Sequence, residues 1–416
     1  MKSSKIKIVN DPVWGFIELD SDLHLELIEH PYFQRLRRIK QLGLSSLVYP
    51  GANHTRFEHA IGTMHLVRLA LDVLKKKGNK ITEEEEEGVM AALLLHDIGH
   101  GPFSHALEQS IVQGVSHEEL SRIYMDELNR EMDGRLSLAI DIFMDRYSKR
   151  FLHQLVSSQL DMDRLDFLKR DSFYSGVSEG VVSSERIIKM LNVRHDQLVV
   201  EIKGIYSVEK FLIARRLMYW QVYLHKTVIS AEHMMIKLLQ RASDLASAGE
   251  NVPATGYLAL FLSKEIKAED FRSGDLTIKN RALHHFAYLD DADILCSIKG
   301  WMEHADPILS NLSRALIDRK LFKIKLSKTP FPESKLLKLK ELSIKKFDIN
   351  MEEAAFFVID GEITNNAYDA EAESINILYK NGKLKDIEEA SDINLEGLTK
   401  TVRKHFVCYP GEIITR

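Results

Sequence analysis

The chain has 416 residues, 45% hydrophobic and 28% charged, with a formal charge of -5 and a pI near 6.4. That is the composition of an ordinary folded protein of two or three domains, and its mild acidity excludes a chain-wide basic surface while leaving room for a local basic pocket. Cys296 and Cys408 have no CxxC companion and read as free thiols of a reducing compartment; with no apolar leader in MKSSKIKIVNDPVWG and no run near the ~20 apolar residues of a membrane span, the expected setting is the cytoplasm, with no membrane partner.

Helical periodicity dominates to about residue 320. Phe57, Ile61, Met64, Val67, Leu71 and Leu74 recur at three- and four-residue steps, one buried helix face that ends in Lys75–Lys76–Lys77–Gly78–Asn79. A second helix starts after the N-cap Thr82. The carboxylates Glu83 to Glu87 occupy its first turns, where they favour the helix dipole and are expected to face solvent rather than to trap a metal. It continues through VMAALLL, apolar all round and so central, into His96 and Asp97, and Gly99, Gly101 and Pro102 end it. Further helices are expected over roughly 117–130, 135–148, 150–170, 184–192 and 207–246, the last capped by Ser207, with a strand pair near 197–206. Beyond about 320, LFKIKLS, AAFFVID, INILYK and HFVCYP read as short strands, with helical stretches near 332–345 and 395–404. The expected fold is mainly α: a helical core over 1–240, a helical extension over 241–320 and a small α+β lobe over 321–416.

The chemistry concentrates in HDIGHGPFSHALE, residues 96–108. An apolar helix that ends in adjacent His and Asp buries two groups that need partners. Alone, the pair also fits imidazoles at a helix C-terminus. NHTRFEHAIG places His59 on an amphipathic helix, where a lone histidine is more often a satisfied core residue. LDMDRLDFLKRD, residues 160–171, places Asp161, Asp163 and Asp166 among leucines, and for any one of them a solvated face is the ordinary reading. Together the three clusters give an ordered pattern of His59, His96–Asp97 and Asp163. Two imidazoles and two carboxylates suit Mn, Fe, Ni, Zn or Co better than Mg alone, and leave positions for water and a phosphate oxygen. Attack on phosphorus also needs a proton donor and cationic clamps. His117 is the candidate acid, oriented by Glu118 or Glu108. Arg56, Arg164 and Arg215 are candidate clamps, because guanidinium forks match phosphate oxygens.

These segments resemble the SAM-and-HD-domain deoxynucleoside triphosphate triphosphohydrolases and their bacterial relatives in the HD superfamily. The resemblance covers roughly residues 8–235, through VNDPVWGFIEL, FQRLRRIKQLGLSSLVYPGANHTRFEHAIG, HDIGHGPFSH and LDMDRLDFLKRD. It implies a metal held by His59, His96, Asp97 and Asp163, with His100, His105 and His117 lining the reaction site and His117 and Glu108 carrying the acid–base work. Glu108 stands where the family has an aspartate. It further implies that Gln41 and Leu42 lie near the sugar, that Arg56, Arg164, Arg215 and Lys226 hold the triphosphate, that Asp171 grips the 3′-hydroxyl and that Tyr223 crowds the 2′ edge. Phe167 is the main departure, since relatives often carry a tyrosine there.

The implied reaction is hydrolysis of a deoxynucleoside triphosphate to deoxynucleoside and inorganic triphosphate, with Mg accompanying the triphosphate. A homo-oligomer, dimer or tetramer, is implied too. Gln34 and Arg37 match positions that bind activating nucleotides between subunits, although a plain surface face accounts for them equally, and Gly204 departs from an acidic position. Two alternatives stand beside this. One is an HD phosphohydrolase acting on another nucleotide or a phosphomonoester; His100 argues against the cyclic-dinucleotide phosphodiesterases, which usually carry lysine there. The other is an inactive nucleotide-sensing or nucleic-acid-binding HD protein, which predicts a lost ligand and a basic stripe, neither of them present.

Overall fold

The computed structural model describes residues 6–369 and 373–414, with side chains left out at 105, 106, 108, 109 and 396. The chain opens with an antiparallel hairpin, β1 (Lys7–Asp11) and β2 (Gly15–Leu19). Its tight turn needs Gly15 at φ 79°. It also needs the Asp11 carboxylate, whose Oδ1 accepts the N–H groups of Val13 and Trp14 at 2.9 and 2.8 Å. Two central helices follow. In α1 (Arg56–Lys76) the Glu58 carboxylate accepts the Thr55 backbone N–H at 2.6 Å. In α2 (Glu83–Leu95) Thr82 Oγ1 accepts the Glu85 N–H at 3.1 Å and Glu85 returns the bond at 2.9 Å, a capping box. Glu85 does not face solvent: it is buried, and it bonds Tyr147 at 2.6 Å and Lys149 at 2.7 Å. Val89 to Leu95 are buried on every side, as the unbroken apolar run requires.

Downstream come α3 (His117–Glu131) and α4 (Met162–Ser175). The stretch 150–170 is not one helix. A short helix, Arg150–Val156, stops, and α4 restarts because Asp161 caps it, accepting the Arg164 N–H at 2.7 Å. The strand pair lies earlier than expected, as the hairpin β3 (Leu191–Arg194) and β4 (Gln197–Glu201). The expected helix 207–246 is two helices, α5 (Ile205–Met218) and α6 (Lys226–Ser247), and Ser207 lies inside the first rather than at its cap. Between them Tyr219–Tyr223 forms a π-turn, in which the Leu224 N–H reaches the Tyr219 carbonyl at 2.7 Å; His225 Nδ1 then caps α6 by accepting the Thr227 N–H at 3.2 Å. This break is what aims Tyr223. Next comes α7 (Asp291–Trp301).

The last part carries β5 (Lys323–Ser327), α8 (Glu333–Phe347), β6 (Ile359–Asn365), β7 (Asn376–Leu378), β8 (Leu384–Asp386) and β9 (Val402–Tyr409). The AAFF of AAFFVID is a 3-10 turn and its strand begins at Ile359; the expected helix near 395–404 is one turn, Glu396–Thr399, running into β9. β9 lies between β5 and β6, while β4 pairs in parallel with β7, Val200 opposite Ile377. A continuous apolar core therefore runs from Ile17 to Cys408, with a small second cluster under α8. The mainly α architecture with small sheets in the C-terminal region is as expected. No helix among the described residues is long and apolar enough to cross a membrane.

Candidate metal centre

α1, the end of α2 and the first turn of α4 bring His59, His96, Asp97 and Asp163 to one point. His59 Nε2 lies 3.0 Å and His96 Nε2 3.6 Å from Asp163 Oδ1. Asp97 lies beside both rings, Oδ1 3.4 Å from His96 Nε2 and Oδ2 3.6 Å from His59 Nε2. Ligand atoms of His59, His96 and Asp163 all fall within 4.8 Å of one another. The far ring nitrogens explain the aim of the near ones. His96 Nδ1–H donates to the Leu93 carbonyl at 2.6 Å, and His59 Nδ1 bonds Asp166 Oδ2 at 2.7 Å. Those bonds keep a proton on Nδ1, so that Nε2 is the nitrogen each ring turns inward and the one that would ligate a metal once its own proton is displaced. Both Nε2 atoms are buried and neither makes a hydrogen bond among the described residues. Converging, buried, unbonded nitrogens beside carboxylates fit a divalent transition metal.

The electrostatics agree. Burial opposes a charged His59 ring, yet Asp163 and Asp166 overcome it and push the group up to about 10. Burial likewise opposes a charged His96, and Asp97 and Asp163 raise it. Against their own desolvation, Asp163 is held down by His59 and His96, and Asp97 well down by His96 and Arg56. Carboxylates that stay ionised when buried are what a cation would displace these imidazole protons to reach.

Around this point the cations are arranged unequally. Arg56 is buried and already engaged, with Nη1 on Asp97 Oδ2 and Nε on Ser104 Oγ at 2.8 Å. Arg164 is paired with Asp161 across one helical turn. Arg215 has no carboxylate among the described residues: Nη1 bonds the neutral Gln159 Oε1 at 3.0 Å and the buried Nε bonds nothing. Burial and then Arg164 lower its pKa. Lys226, the first residue of α6, is exposed. Asp171 accepts from Tyr223 Oη at 2.8 Å and pairs with His54 Nε2 at 2.7 Å, and His54 stacks on Tyr174. The Phe167 ring stands edge-on to Tyr223 with centroids 6.0 Å apart. Gln41 donates its N–H to the His54 carbonyl at 3.0 Å, its buried Oε1 bonds nothing among the described residues, and Leu42 packs on the core.

On the other side His100 and His117 stack, centroids 3.9 Å apart and 18° from parallel. His100 Nε2 lies 3.5 Å from Asp97 Oδ1. Gly99 permits this: a Cβ there would meet the His117 carbonyl at 2.2 Å, so only glycine lets α3 approach so closely. The side chains of His105 and Glu108 lie outside the described residues. Gln34 and Arg37 stand together away from the metal cluster: Gln34 bonds the Ile28 carbonyl at 2.7 Å, Arg37 Nε bonds Gln34 Oε1 at 2.9 Å, and the guanidinium covers Phe57. Gly204 is buried against Met190 and Val200.

Sequence reasoning passed over several supporting groups. Asp166 was visible inside LDMDRLDFLKRD but not separable from its neighbours. His54 is the second residue of NHTRFEHAIG, and only its stacking and its bond to Asp171 single it out. Arg35, buried in the core, donates to the Ile98 carbonyl at 2.9 Å and lies over Phe286. Asp291, from α7, accepts the N–H groups of Phe103 at 2.7 Å and Lys40 at 3.0 Å, holding a loop in which Phe103 and Ser104 take positive φ. No local pattern marks these two.

Comparison with known proteins agrees with the geometry. An HD domain model matches residues 56–164, and an HD associated region model matches residues 182–252. YwfO of Bacillus subtilis is 32% identical across 99% of this chain and 94% of its own length. A deoxynucleoside triphosphate triphosphohydrolase SAMHD1 homolog of Dictyostelium discoideum is 33% identical over 68% of this chain, which spans 60% of that relative's length. Among solved structures, a phosphohydrolase from Bacteroides thetaiotaomicron matches with a TM-score of 0.93 at 52% identity, covering 97% of this chain and 100% of that one. The buried histidine–aspartate cluster and these matches together place this chain in the HD-domain family of metal-dependent phosphohydrolases.

Proposed function

We propose that this protein hydrolyses deoxynucleoside triphosphates to deoxynucleoside and inorganic triphosphate. The observation that carries the reading is the Asp171–Tyr223 pair, joined at 2.8 Å on the same side as Phe167 and one helix face from Asp163. A carboxylate and a phenol beside a metal cluster offer what a sugar edge needs. His59, His96, Asp97 and Asp163 would hold a divalent metal, Mn, Fe, Ni, Zn or Co, which when bound would supply Lewis acidity for phosphate hydrolysis. Arg164, Arg215 and Lys226 bind the triphosphate, whose charge Mg shares. Arg215, with no carboxylate partner among the described residues, is the readiest of them, whereas Arg56 holds Asp97 as well.

Water oxygen bonds to the α-phosphorus as the P–O5′ bond breaks; the leaving 5′-oxygen takes a proton from His117, which His100 keeps in place by stacking, and the proton the water gives up passes to solvent, from which His117 is re-protonated. His105 and Glu108 complete that acid–base group in this reading. Gln41 and Leu42 border the sugar, Asp171 accepts from the 3′-hydroxyl and the Tyr223 ring fills the 2′ edge. The working form is a homo-oligomer. A second reading, hydrolysis of another nucleotide, is favoured by Phe167, which offers no hydroxyl. The test is incubation of metal-loaded protein with each dNTP, singly and mixed, with products separated by ion-pair chromatography. Deoxynucleoside with triphosphate supports the first reading; turnover only of other phosphorylated compounds supports the second. No turnover of any, with metal bound, removes both and leaves an inactive nucleotide sensor or nucleic-acid-binding HD protein.

A further inference from the structure

His59 is oriented by a chain of contacts that leaves the metal cluster and ends in the N-terminal hairpin. Asp166 Oδ2 bonds His59 Nδ1 at 2.7 Å. Three donors fix that carboxylate: Arg170 Nε at 2.8 Å, Arg170 Nη2 at 2.9 Å and Trp14 Nε1 at 2.5 Å. Arg170 in turn gives Nη1 to Asp11 Oδ2 at 2.7 Å. Asp166 and Arg170 are wholly buried, and Asp11 is nearly so. Gly62 makes the space: a Cβ there would stand 2.1 Å from Asp166 Oδ1 and 2.4 Å from Arg170 Nη2. Trp14 is itself clamped, with the Lys169 ammonium 3.8 Å from its ring centroid and the His65 ring tilted beside it at 6.3 Å between centroids.

An ion pair this deep is a poor way to stabilise a fold, since desolvation offsets most of its attraction. It is a good way to fix one geometry, because each partner is over-determined. The hairpin is anchored in the core by Ile17 and Leu19, while Ile8 and Phe16 face solvent.

We propose that the hairpin turn, through Asp11 and Trp14, is an outer part of the metal centre, setting the ring plane and tautomer of His59 by way of Arg170 and Asp166. Asp11, Trp14, Asp166 and Arg170 are positioning residues. The proposal rests on His59 being a metal ligand. It predicts that the metal site tightens or loosens with the seating of a turn more than 150 residues away along the chain from Asp166.

The experiment titrates the full-length, metal-stripped protein with Co²⁺, following its visible bands. Trp14→Phe keeps the ring and deletes one donor to Asp166. Asp11→Asn keeps the backbone caps of the turn and deletes the charge facing Arg170. Asp166→Ala and Asp166→Asn bracket the middle of the relay, and circular dichroism establishes that each variant is folded at the titration temperature. Both hairpin variants are expected to raise the Co²⁺ dissociation constant about tenfold, the lower end of what loss of a ligand-holding group costs, and to alter the band shape; Asp166→Asn should recover part of what Asp166→Ala loses. Folded hairpin variants with the wild-type constant and spectrum overturn the proposal, whatever their melting temperatures, because a purely structural role moves only the melt. His96→Ala is the separate control: wild-type Co²⁺ binding in that variant defeats the ligand reading itself and not the relay alone.

Discussion

The Tyr223 hydroxyl donates to Asp171 Oδ2 at 2.8 Å, so the two residues expected at different edges of the sugar are bound to each other. The other oxygen of Asp171 faces His54. Burial first, and then Asp171, raises the Tyr223 pKa well above its ordinary value, so the phenol is a donor at any working pH. In the proposed function a 3′-hydroxyl would join a carboxylate that is already oriented.

This pairing separates two functions of Tyr223. Tyr223→Ala removes the ring and should raise ribonucleotide turnover relative to deoxyribonucleotide by about tenfold, since a built-in clash is what discriminates. Tyr223→Phe keeps the ring and should keep that selectivity while raising KM a few-fold. Competition assays with paired dNTP and rNTP substrates decide; equal selectivity in wild type and Tyr223→Ala contradicts the role.

Phe167→Tyr places a hydroxyl beside Tyr223 on the face of α4 that carries Asp163. One added hydrogen bond is worth about 0.5–1.5 kcal/mol, so kcat/KM for the preferred dNTP should rise roughly two- to tenfold. Steady-state kinetics with the four dNTPs would show it. An unchanged or lower value means the ring does not face the nucleotide.

Arg215 is a buried cation with no carboxylate partner among the described residues, which costs stability in the free protein. Arg215→Gln should therefore leave the melting temperature unchanged or higher while lowering kcat/KM by about 10- to 100-fold, as loss of a charged hydrogen bond does. Arg215→Lys should recover little, because an ammonium cannot reproduce the fork. Melting and kinetics on the same preparations test the opposition. A large fall in stability with full activity contradicts it.

Legibility in the sequence followed how local each cause was. The helix through Val89–Leu95 and the pattern His59, His96–Asp97, Asp163 could be read because apolar periodicity and ligand type are written in consecutive residues. The break at Tyr219–Tyr223 could not: the apolar pattern of 207–246 runs on across it, and a π-turn adds one residue without changing composition. Glu85 was read as solvated with its four neighbours, and only Tyr147 and Lys149, over 60 residues on, show that it is buried. Trp14 meets Asp166 across 152 residues, and Asp291 meets Phe103 across 188, separations that no spacing rule spans.

Asp291 also gives a pH dependence with a defined sign. Burial raises its carboxyl to about 6, against the pull of the Lys40 and Phe103 N–H groups. Between its ordinary value near 4 and about 6 the folded state then holds a proton that the unfolded chain has lost. Stability from this group is full below about pH 4, falls as pH rises to 6 and is level above, a change of roughly 3 kcal/mol. Asp291→Asn should flatten that slope. Urea unfolding of both proteins from pH 4 to 8 measures the difference, and parallel curves contradict it.

Asp163→Ala should abolish binding of one equivalent of transition metal while leaving the helical circular dichroism intact, because a single oxygen, Asp163 Oδ1, faces both inward imidazole nitrogens, 3.0 Å from His59 Nε2 and 3.6 Å from His96 Nε2. Metal analysis after dialysis against chelator and reloading gives the stoichiometry. Retention of one equivalent removes Asp163 from the ligand set.

The most direct test of the whole account is hydrolysis of a dNTP in ¹⁸O-labelled water by metal-reloaded protein, with both products analysed by mass spectrometry. Deoxynucleoside without label and inorganic triphosphate carrying one ¹⁸O, with no reaction in the chelated protein, are the predicted result. Release of monophosphate and pyrophosphate, label in the nucleoside, or turnover indifferent to metal would contradict it.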